Sequence, residues 1–133
     1  MHIRQKIRES VKTKLSTLDF KSVNTNRVMD LKDKDLPAAV IITEDETSQQ
    51  TDKRGGITRD ISVLVVVIVN GETDTLDDDL DGWAEKIEPV LRDVPYARQF
   101  ILTATGLDFR PDDEGEHWFG YLALEYQALA FEE

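Results

Sequence analysis

Catalysis in water needs a nucleophile, a proton carrier or a metal cage, and this chain has few residues able to serve. It holds two histidines, His2 and His117, and no cysteine. His2 lies beside the N-terminus and His117 at the start of a strand-like run, so both read as structural or solvent-facing. Without cysteine there is no disulfide, no thiolate metal site and no cysteine nucleophile. That composition fits a reducing compartment. Gly55-Gly56-Ile57-Thr58 lacks the lysine and the spacing of a phosphate loop, and no serine stands in a nucleophile elbow. Carboxylates are what remain. Asp112, Asp113, Glu114 and Glu116 have the oxygen chemistry for Mg²⁺, but they fall on a turn without the regular spacing of a calcium loop. Asp77-Asp78-Asp79 is sufficiently explained as negative charge at the start of a helix.

The elements that would carry these groups follow from periodicity. Ile3, Ile7, Val11, Leu15 and Leu18 form one apolar stripe, which predicts an amphipathic helix over residues 3–18. A short extended piece follows at 22–29. Pro37 then introduces a strand over 38–43, at a position where a missing N–H does little harm. Residues 45–56 contain no apolar side chain and read as a long polar loop. The run from Ile57 to Asn70 is mostly β-branched. Its centre, Val63 to Val69, is apolar at every position, which predicts a central strand covered on both faces.

Asn70-Gly71 makes a turn. Thr75 reads as the N-cap of a second helix, with the three aspartates in its first turn. Leu76, Leu80, Trp83, Ile87, Val90 and Leu91 form its apolar stripe, and Pro89 predicts a kink or an end near residue 88. Asp93-Val94-Pro95 starts a further helical turn through Phe100. Two strands close the chain, over 101–109 and 117–131, joined by a hairpin connection at 110–116. In the last strand Trp118, Leu122, Leu124, Tyr126, Ala128 and Ala130 share one face. Phe119, Tyr121, Ala123, Glu125, Gln127, Leu129 and Phe131 share the other. A face that no helix covers becomes a patch that seeks a partner. The expected fold is α+β: a single domain over residues 1–133 in which a mixed, mainly antiparallel sheet packs against two helices.

Charge narrows the function classes. Charged residues make up 32% of the 133 positions and the net charge is −11. An acidic surface repels phosphate, which argues against general nucleic-acid binding. The charge is also segregated: the balance is +4 over residues 1–36, −2 over 37–71 and −13 over 72–133. Such a molecule can associate head to tail, basic side against acidic side. The first ten residues have no apolar stretch behind their charges, so they do not read as a signal peptide. The longest apolar run, 61–69, is far shorter than the roughly 20 residues of a membrane helix.

One family is similar in the order and spacing of its motifs. Asp79-Leu80-Asp81-Gly82-Trp83, Ile87-Glu88-Pro89-Val90 and Asp93-Val94-Pro95 resemble the second helix of the tail terminator proteins of long-tailed phages, the lambda-like minor tail protein U family. Gly106-Leu107-Asp108-Phe109-Arg110-Pro111-Asp112-Asp113 resembles the hairpin that follows it. Trp118 and Leu124-Glu125-Tyr126 fit the last strand, and Asp35-Leu36-Pro37-Ala38-Ala39-Val40 fits the first core strand. The resemblance implies a structural protein without enzymatic activity, located in the virion tail and assembled in the bacterial host cytoplasm. It implies a homohexameric ring on the head-proximal end of the tail tube. Its partners would be further copies of itself, the tail tube protein and a head–tail connector or neck protein, with no membrane and no sequence-specific nucleic acid.

Together with the charge layout, this gives a candidate subunit and tail interface. It consists of Arg4, Arg8, Lys12, Lys53, Arg54, Asp77, Asp78, Asp79, Asp81, Arg110, Asp112 and Asp113. No cofactor is expected, beyond weak Mg²⁺ that would promote oligomerisation by bridging neighbouring subunits. Two other readings stand beside this one. A small acidic inhibitor or immunity-type protein would bind one cationic partner. A Mg²⁺-dependent phosphoesterase would work through the 112–116 carboxylates.

Overall fold

A computed structural model describes residues 2–25, 33–50, 56–71, 73–94, 97–112 and 115–132. The elements are α1 (Ile3–Leu15), β1 (Ser22–Asn24), a 3-10 turn at Asp33–Asp35, β2 (Ala38–Gln50), β3 (Ile57–Gly71), α2 (Thr73–Arg92), β4 (Ala97–Asp112) and β5 (Gly115–Glu132). The strands form one five-stranded sheet in the order β1-β2-β3-β5-β4. β1 pairs with β2 in parallel, and the other pairings are antiparallel. The peptide bond before Pro37 is cis. The α+β class expected from the sequence is what the chain adopts.

Both helices lie on the same side of the sheet. α1 packs on β2 and β1, α2 packs on β3, β5 and β4, and the helices touch each other. The α1 stripe of Ile3, Ile7, Val11 and Leu15 joins a single core with Leu76, Leu80, Ile87 and Leu91 of α2. The sheet contributes Ile61, Val63, Val65 and Val67 from β3, and Leu122, Leu124, Tyr126 and Ala128 from β5. Each fully buried Leu, Ile or Val in this layer is worth about 1.5–3 kcal/mol of apolar transfer.

Several local expectations are corrected. β3 is not covered on both faces: its odd-numbered positions from Ile61 to Val69 are buried, while Leu64, Val66 and Ile68 are only half-buried. One amphipathic stripe per helix is enough apolar surface for one sheet face, and both stripes are spent there. α1 ends at Leu15, with Ser16 donating its backbone N–H to the Lys12 carbonyl, so Leu18 lies beyond the helix. Glu46–Gln50 are strand, not loop. They pair with Ile57–Ile61 of β3, because a backbone ladder needs no apolar side chains. Residues 51–55 lie outside the described part, as do 26–29 of the predicted extended piece.

α2 starts at Thr73, so Thr75 sits inside its first turn, Asp77, Asp78 and Asp79 fall in its second turn and not its first, and the helix continues past Pro89 to Arg92. The helical turn expected through Phe100 is absent, since β4 already begins at Ala97. The closing strands are also longer than expected, and Asp112 pairs directly with Gly115.

Candidate functional site

α1 is a helix because its apolar residues recur every third or fourth position, and this turns its charged residues outward. Arg4 is exposed and Lys12 is half-buried. Arg8 is committed within the chain: its guanidinium donates to Thr43 Oγ1 on β2 at 2.5 Å. The helix carries Lys12 and Lys14 in its last turn, where cations meet the negative end of the helix dipole.

α2 repeats the logic with the opposite sign. Asp77, Asp78, Asp79 and Asp81 are exposed in its first half, with Glu85 exposed further along. Its middle is anchored by Trp83, whose ring stacks on Phe20 with centroids 4.1 Å apart. The Lys86 ammonium lies 4.9 Å from the centre of the same ring, a cation–π arrangement. Beside it is an open cleft of about 340 Å³ lined by residues that include Pro37, Asn70, Asp78, Asp79, Trp83 and Lys86. The cleft offers carboxylates and an ammonium group but no histidine, cysteine or serine.

Of the residues singled out in the sequence, the fold therefore gathers two sets on one layer. Arg4, Arg8 and Lys12 lie on α1, above the β1–β2 end of the sheet. Asp77, Asp78, Asp79 and Asp81 lie on α2, above β3, β5 and β4. Arg110 and Asp112 belong to β4, close to its hairpin end, and nothing further is described of their side chains. Lys53, Arg54 and Asp113 lie outside the described residues, as does Glu114 of the 112–116 group. Among the described residues no three His, Asp or Glu side chains gather in a way that could hold a metal ion. No helix among them is long and apolar enough to cross a membrane.

The far end of the sheet carries one further charged contact. Arg59 on β3 donates to Glu46 Oε2 on β2 at 3.0 Å, with both side chains about four-fifths buried. It ties together the polar part of the β2–β3 hairpin, which periodicity alone had read as a loop.

The sequence-derived interface residues omit the sheet face opposite the helices. There the register aligns Ala38, Ile68, Tyr121 and Gly106 in one row across β2, β3, β5 and β4, and Val40, Val66, Ala123 and Ala104 in the next. The signal was present in the sequence as the alternation along β5. What periodicity could not say is which of its two faces the helices take. The ring of Tyr121 lies over Gly106, where a β-carbon would leave it no room.

Two comparisons with known proteins bear on this arrangement. A family model described as phage minor tail protein U matches residues 1–129. No curated protein matches the chain significantly.

Proposed function

The chain belongs to the phage minor tail protein U family, and from that premise we propose that it is the tail terminator, a protein that acts by shape and transforms no substrate. Its place would be the head-proximal end of the tail tube. There a ring of copies, six in the expected assembly, stops addition of further tube subunits and presents the surface to which the filled head attaches through its neck protein. The observation that carries this reading is a family match spanning nearly the whole chain.

A closed ring requires a heterologous contact, in which two different patches of each copy meet. The helix layer carries two such patches: basic groups of α1 (Arg4, Lys12) over β1–β2, and acidic groups of α2 (Asp77, Asp78, Asp79, Asp81), of which Asp78 and Asp79 share the cleft with Pro37 and Asn70. Complementary charge of this kind sets orientation and association rate more than affinity. Lys53, Arg54, Arg110, Asp112 and Asp113 belong to the same proposed charged contact with neighbouring copies or with the tube. Arg8 contributes less directly, since it is held by Thr43. Mg²⁺ bound weakly between exposed carboxylates of adjacent copies would relieve their repulsion. An acidic lumen would let DNA pass without adhering. The experiment that tests the reading is the length distribution of tails assembled without this chain.

A further inference from the structure

We draw no further inference here: the strongest candidate, the open cleft beside α2 lined by Pro37, Asn70, Asp78, Asp79, Trp83 and Lys86, belongs to the charged contact already described, and its exposed carboxylates come with no second observation among the described residues that points to a ligand.

Discussion

Tyr121 on β5 lays its ring across Gly106 on β4, so closely that a β-carbon at residue 106 would sit 2.5 Å from the ring and its hydroxyl. The pair stand opposite each other in register. Glycine leaves a trough in the pleated surface, and the aromatic ring fills it, a known device for stabilising a glycine-containing strand.

Gly106→Ala should therefore keep the fold and push the Tyr121 ring outward, because a half-exposed ring can swing where backbone cannot. The expected stability change is within about 1 kcal/mol, well short of a core lesion. Thermal unfolding checks the magnitude, and the near-ultraviolet circular dichroism of tyrosine checks the displacement. A loss of several kcal/mol would mean that the ring is locked by contacts beyond Gly106.

Ile7 tests the helix layer in the opposite sense. It is 1% exposed in the middle of the α1 stripe, where the surroundings can collapse only partly. Ile7→Ala should cost about 2–5 kcal/mol in denaturant unfolding. Truncating Ile3 near the helix end should cost less, since the terminus can adjust. Equal losses would argue that α1 docks as one rigid piece.

Tyr126 gives a pH signature. Its side chain is fully buried in the core, and desolvation pushes its phenol well above the ordinary value of 10.0. A folded-state value above the unfolded one means that the native state keeps the proton longer. The corresponding stability is fully present below about pH 10 and is lost as pH rises beyond it. Urea midpoints measured from neutral pH upward should fall once pH passes that point. Tyr126→Phe should flatten its share of the slope while leaving the slope at neutral pH unchanged.

The helices were legible because their stripes are regular: Ile3, Ile7, Val11 and Leu15 are all buried as their spacing required. The two faces of β5 were legible for the same reason at period two. Three features were not. Glu46–Gln50 carry no apolar side chain, so their strand character comes from pairing with Ile57–Ile61 and not from composition. Ala97–Phe100 lack a clear alternation and are drawn into β4 by pairing with Tyr126, Gln127 and Ala128 of β5, with irregularities at Ala97/Gln99 and Leu102/Ala104. Such tertiary override of weak local preference is ordinary for edge strands. The valine-rich β3 looked two-sided because β-branched residues suit a half-buried sheet face as well as a buried one. The charged candidates were found by type, but their grouping on one layer follows from where α1 and α2 pack, which no spacing rule supplies.

The charged contact makes its own prediction. Asp77, Asp78 and Asp79 are exposed in the second turn of α2, beyond the first turn in which a carboxylate measurably favours the helix. Their combined reversal to lysine should change the melting temperature little but slow ring assembly on tails at low salt, with partial recovery at high salt. Tail assembly followed by electron microscopy in complemented cells reads the second effect. Assembly at the parental rate and unchanged tail length would remove these three residues from the interface.

The central claim is that this chain caps the tail tube, and tail length is its most direct readout. Negative-stain electron microscopy of particles from cells carrying the phage with this gene deleted should show tails of irregular, extended length that fail to join filled heads. Supplying the chain in trans should restore one length and head attachment. Tails of normal, uniform length joined to heads in the deletion strain would contradict the account.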